Sequence, residues 1–224
     1  MPRGRGAQSS KDEFRLDNRW DSHNSLQFHR QSFWRGVRKY GDFELETHEL
    51  TAHPAYPPLE VTQVTARIIS RDENWLRLRW RVEGSGKLVM PPFAGKGRAD
   101  ELWRTTCFEL FLKPDGGTAY CEFNLSPSER WAAYDFSDRR DGMADRPAPR
   151  EPECTMRRGS SFAIFDAAIP AAALPQTDCD AGLTCVLEEE GGIKSFWAIG
   201  HPQDQPDFHD PACFTARLHA PTSA

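Results

Sequence analysis

Glu109, Glu122 and Asn124 are the side chains whose types and spacing could do chemistry in this chain of 224 residues. Two carboxyls beside an amide can grip the hydroxyls of a polar, flat-faced ligand such as a sugar ring. Two carboxyls alone could also hydrolyse a glycosidic bond, given a separation of roughly 5–5.5 Å for a retaining enzyme or roughly 6.5–9.5 Å for an inverting one. Same-face neighbours on adjacent strands fall near that range. Proximity of this kind is common on any sheet, however, and no acid here sits in a visibly apolar sequence context that would raise its pKa. The expectation is therefore a binding protein rather than an enzyme.

The elements that must position these residues run from Leu102 to Phe136 and read as a three-stranded antiparallel meander. Phe108, Leu110 and Leu112 alternate with Cys107 and Glu109, and Cys121, Phe123 and Leu125 alternate with Tyr120, Glu122 and Asn124, the period-two signature of half-buried strands. Matching the apolar sets across the strands brings Glu109 opposite Glu122 or Asn124. Because two carboxylates directly opposite repel, Asn124 is the favoured partner, or else a cation lies between the acids. If Ala132, Tyr134 and Phe136 face the interior, Trp131 and Asp135 stand beside Asn124 and Glu122 as an aromatic plate next to hydrogen-bonding groups. These polar positions are short of Lys and Arg, which usually cover a solvated strand face, and Trp103 flanks them.

Around the meander, strands are expected over Val61–Ile69 and Trp75–Val82, joined by a turn at 70–74, and near Glu153–Arg158 and Ser161–Ala168. A helical turn at Pro170–Leu174 follows, then a hairpin of Gly182–Glu188 with Lys194–Gly200 and a last strand near Phe214–His219. Asp42–Pro58 reads as a lead-in ending in a Pro-rich turn, and Ser137–Pro152 as a long surface loop. Roughly ten short strands and no long helix make an all-β antiparallel sandwich.

Length and composition suit one sizeable core. Mean hydropathy is -0.66, and no apolar run approaches the roughly 20 residues of a membrane span. The N-terminus lacks a secretory signal pattern, so a cytoplasmic setting is expected. Residues 1–40 hold nine Lys/Arg against four Asp/Glu, leaving nineteen against twenty-nine for the rest. The domain division that follows is a basic, disordered extension over 1–40 and a folded acidic body over 41–224. An acidic body argues against nucleic acid as the main partner. Six cysteines without a CxxC pair read as small buried hydrophobes rather than disulfides or metal ligands. Gly84-Ser-Gly-Lys87 lacks Walker spacing and reads as a turn.

The segments ELWRTTCFELFL and YCEFNLSPSERWAAYDF, with SFWAIGHP and PDFHDPACF near the C-terminus and LTAHP near residue 50, resemble the DOMON-like proteins related to type 9 carbohydrate-binding modules. The resemblance spans roughly residues 45–219. It implies a β-sandwich that binds a sugar, with rings sandwiched between two Trp side chains and hydroxyls gripped by acids, amides and Arg. Carried onto this chain, it points to Trp103, Glu109, Glu122 and Asn124, with Trp131 or Trp197 as the second aromatic. The facing of Trp197 is left open by the sequence, and Ser126-Pro-Ser stands where a sugar-binding relative would continue with Asn-Pro. Other DOMON branches bind haem through a Met and a His, for which Met90 with His201 or His209 are the candidates here; Met90 reads more simply as a core side chain. His201, Asp207 and His209 also share a Pro- and Asp-rich loop that could hold a divalent metal, although the spacing fits a side-chain-capped turn better. No cofactor is expected, and the expected partner is a small polar ligand.

Overall fold

Alternating apolar residues organise this chain into two sheets that close on one interior. A computed structural model describes residues 46–202 and 204–221; the expected basic extension over 1–40 lies outside them. The described strands are β1 (Thr47–Ala52), β2 (Gln63–Arg71), β3 (Trp75–Glu83), β4 (Gly97–Arg98), β5 (Cys107–Pro114), β6 (Tyr120–Leu125) and β7 (Arg130–Phe136). They continue with β8 (Ala144–Asp145), β9 (Glu153–Arg158), β10 (Phe162–Pro170), β11 (Cys179–Glu189), β12 (Ile193–Ala198) and β13 (Ala216–Leu218). Hydrogen bonding runs in the order β4-β7-β6-β5-β11-β12-β1-β2-β3-β10-β9, with β13 on β11 and β8 on β7.

The ladder folds into a sandwich because β1 serves both sheets. Thr47 to Leu50 pair with β2, while Thr51 and Ala52 pair with β12. This strand was expected only as a lead-in: Leu50 alone is buried in it, so the period-two signal is missing. The expected strands otherwise appear within a few residues of their sequence limits. The short β8 lies inside what reads as a surface loop, and Ala171–Ala173 forms the expected helical turn.

Inside the sandwich, Trp80, Phe108, Leu110, Leu112, Phe123, Leu125 and Phe165 pack into one buried cluster. Phe108 of β5 stacks on Phe165 of β10, with centroids 4.2 Å apart. All six cysteines are free and buried. Burial holds the thiols of Cys121, Cys154 and Cys213 up at about 12, so they are poor nucleophiles and behave as small apolar fillers.

The outer face of the β5–β6–β7–β11 sheet carries a second apolar cluster of Phe111, Tyr120, Phe136, Val186, Phe208 and Phe214. The segment over 204–214 lies over part of it. Gly182 of β11 is what lets Phe214 settle there, since a Cβ at that position would stand 2.7 Å from the Phe214 ring. The rest of this outer face stays open and forms the site.

Candidate functional site

The register of the meander places Glu109 opposite Asn124, as charge repulsion predicts, with Phe111 opposite Glu122. Glu122 is then the diagonal neighbour of Glu109, a placement that sets backbones roughly 7–8 Å apart. On the third strand, Asn124 pairs with Ala132 and Glu122 with Tyr134. The expected parity of that strand is thereby inverted. Trp131 pairs with Leu125 and packs in the interior, and Asp135 pairs with Cys121 and binds Arg146.

The loop between β6 and β7 explains the inversion. Ser126 donates its N–H to the Arg130 carbonyl, and Glu129 donates to that of Ser126 while adopting a φ of 68°. This is a hairpin connection of three residues ending in a left-handed residue. An odd loop length pairs residues of like parity, which sends Tyr134 outward and Trp131 inward.

Trp197 also faces inward, paired with Cys185 and Ala52, and its indole Nε1 donates to Ser195 Oγ at 2.8 Å. Its neighbour Phe196 takes the outward position. Among Trp103, Trp131 and Trp197, Trp103 lines the cavity; it sits on the short helical turn Leu102–Arg104 and is 49% exposed.

The cavity on this outer face has a volume of about 610 Å³, within the usual range of about 300–1,000 Å³ for small-molecule sites. Glu109, Glu122 and Asn124 form its floor, and Trp103, Tyr134, Phe136, Phe196 and Phe208 stand among its walls. The aromatic wall escapes a reading of the sequence that follows Trp alone. Once Trp131 and Trp197 are assigned to the core, alternation by itself puts Tyr134 and Phe196 on the open side.

The floor is buried and incompletely paired. Glu109 is 3% exposed, Glu122 6% and Asn124 2%. Asn124 Nδ2 donates to Glu122 Oε1 at 2.6 Å, while its Oδ1 has no hydrogen-bond partner among the described residues. Glu109 accepts from the Thr184 hydroxyl at 3.4 Å. No Lys or Arg among the described residues forms an ion pair with either carboxyl. Burial, reinforced by the neighbouring charge of Glu122, pushes Glu109 well above the ordinary carboxyl range. Burial likewise raises Glu122 to about 7, against the hydrogen bond from Asn124. Both acids thus occupy the kind of apolar surroundings that the sequence did not reveal, because their cover comes from a segment more than sixty residues away.

That cover is pinned at several points. Asp207 receives Arg139 at 2.5 Å and Arg140 at 2.8 Å, and its side chain also accepts from the His209 N–H at 3.1 Å. Asp210 caps the turn at Pro211–Cys213. Tyr120 OH lies 2.7 Å from His209 Nδ1 and accepts from the Arg140 N–H at 3.2 Å. Burial, with the nearby Arg140, lowers His209 to about 4, so its imidazole is neutral at pH 7. If the Tyr120 hydroxyl donates to Nδ1, the His209 proton sits on Nε2, which faces Glu122 at 3.8 Å.

The loop is therefore the capped turn that its Asp and Pro content suggests. Asp207 is spent on two arginines, and His201 Nε2 lies 2.8 Å from the Thr51 carbonyl. His53 does fold against the loop, with its ring 4.9 Å from that of His201. Among the described residues no group of three or more His, Cys, Asp or Glu side chains is placed to hold a metal ion. Met90 packs against the inner cluster, whereas His209 lines the outer cavity, so the two do not share a face.

No family model and no curated protein sequence matches this chain. Among solved structures, the fold is similar to that of a candidate carbohydrate-binding protein from Bacteroides uniformis ATCC 8492, at 17% identity and a TM-score of 0.56, covering 76% of this chain and 84% of that one. A family 9 carbohydrate-binding module from Caldicellulosiruptor kristjanssonii, solved with cellotriose and with glucose, matches at 11% identity and a TM-score of 0.42. Each of those covers 67% of this chain, and 72% and 73% of its own. At such identities the first likeness establishes the β-sandwich fold.

Proposed function

We propose that this protein is a non-catalytic carbohydrate-binding β-sandwich, akin to the DOMON-like relatives of type 9 modules, which holds a saccharide in the outer-face cavity. The observation that carries the reading is a cavity of about 610 Å³ with aromatic walls and a polar floor, in which a buried amide oxygen, Asn124 Oδ1, has no partner among the described residues. A buried acceptor without a partner costs about 1–3 kcal/mol, which a ligand hydroxyl would recover. Trp103 offers an exposed indole face for stacking on a sugar ring. The sequence resemblance and the fold shared with a candidate carbohydrate-binding protein support the same ligand class.

A thermal-shift screen against neutral sugars, amino sugars and nucleotide sugars tests this. Ligand at ten times its dissociation constant should stabilise the fold by about 1.4 kcal/mol. A hit lost in both Trp103→Ala and Asn124→Ala supports the site, and a hit that survives both places binding elsewhere.

A second reading, glycoside hydrolysis, is favoured by the two raised acids, since a carboxyl at about 7 is suited to act as a general acid. In that case Glu122→Gln abolishes turnover of an oligosaccharide while leaving its binding measurable. Retention of binding with no turnover by the wild-type chain disposes of it.

A further inference from the structure

The cavity offers many acceptors and, beside the His209 Nε2 that faces Glu122 at 3.8 Å, few uncommitted donors. Thr184 donates to Glu109, the Tyr134 hydroxyl donates to Asp100 at 2.6 Å, and Asn124 Nδ2 donates to Glu122. The Arg140 guanidinium acts on both floor acids by its charge, without an ion pair to either, and is held by Asp207 through two nitrogens, at 3.1 and 2.8 Å. What remains open on the floor is the carbonyl of Asn124 and the oxygens of two acids that lack a cationic partner among the described residues. Of the rim acids, Glu101 pairs with Arg104 and Asp145 with Arg98, whereas Asp100 receives only the tyrosine hydroxyl.

A neutral sugar hydroxyl both donates and accepts, so the Asn124 carbonyl and the ionised form of the two acids, acceptors alone, satisfy half of it. An ammonium group is a better match: it carries three donors, no acceptor and a positive charge that can reach the acid oxygens directly. Aromatic faces around the cavity add attraction for a cation. Resting on the saccharide reading, we infer that the ligand is an amino sugar whose protonated amine is received by Glu109, Glu122 and the Asn124 carbonyl. Ionised acids then face a positive charge in place of each other.

Isothermal titration of the full chain at pH 7 with D-glucosamine, D-glucose and N-acetyl-D-glucosamine decides the point. The acetylated sugar keeps the shape at the amino position but loses the charge. Glucosamine is expected to bind about tenfold or more tightly than either neutral sugar. That preference should collapse to within about threefold in a Glu109→Gln/Glu122→Gln variant whose melting curve shows it folded. Equal affinity for the three sugars, or tighter binding of a neutral one, overturns the amine assignment and leaves the saccharide reading standing. Methylamine binding without any sugar binding, lost in the double variant, overturns the saccharide reading and supports recognition of the cation. Binding of none of these probes overturns both.

Discussion

Three buried acids lie on β11 and the two strands that follow it across the sheet, β5 and β6, and are treated in opposite ways. Glu189, at its C-terminal end, is fully buried and accepts three backbone N–H groups, from Leu59 at 2.6 Å, Glu60 at 2.7 Å and Val61 at 3.1 Å. It fastens the loop before β2 to the sheet. Glu109, opposite Thr184 near the middle of the same strand, has a single long hydrogen bond, and Glu122 beyond it has one amide. A saturated carboxyl of the first kind is a structural clamp. Carboxyls left short of donors under an open cavity are a cost to the fold, and such costs collect where a ligand is received.

The largest effect expected from this contrast is at Glu189. Replacing it with Ala strands three backbone donors and should cost about 3–5 kcal/mol, read as a fall in the urea midpoint at unchanged slope. Removing charge at the floor should do the opposite. Glu122 titrates at about 7 in the folded chain and near 4.5 when unfolded, so the folded state holds the extra proton between those values. The Glu122 contribution to stability therefore falls as pH rises from about 4.5 to about 7, by on the order of 3 kcal/mol for the full shift, and is constant above, while the raised Glu109 adds a fall of the same sign. Glu122→Gln should make that slope shallower and melt higher than wild type at pH 8. A melting series from pH 4.5 to 8 on both chains checks the sign, and a steeper fall in the variant would break the comparison.

The tryptophans sharpen it further. Trp131→Ala empties interior volume and should cost about 3–5 kcal/mol whether or not ligand is present. Trp103→Ala, at the exposed rim, should change stability by about 0.5 kcal/mol or less while weakening sugar binding. Equal losses of stability at the two positions would contradict the inward and outward assignment.

Most of the fold was legible because half-buried strands announce themselves by alternation, and β9 appears at its expected limits. Within the site, strand parity placed Glu109, Glu122 and Asn124 on one face, and charge repulsion favoured the Glu109–Asn124 pairing that the register shows. Trp131 went to the wrong face because the parity of β7 depends on a turn, and the positive φ of Glu129 has no glycine to betray it. The raised acids were illegible for another reason: they share their cavity with Phe208 and His209, the latter 3.8 Å from Glu122, which come to it only through the tertiary fold. β1 was missed because a strand shared between two sheets buries one residue rather than a row.

The most direct test of the site's location follows the indole N–H resonances of the tryptophans by NMR as D-glucosamine, and separately D-glucose, is titrated in. The account predicts that the Trp103 signal moves saturably while those of Trp131 and Trp197 stay in place. Saturable binding that shifts the two interior indoles and leaves Trp103 still would contradict it.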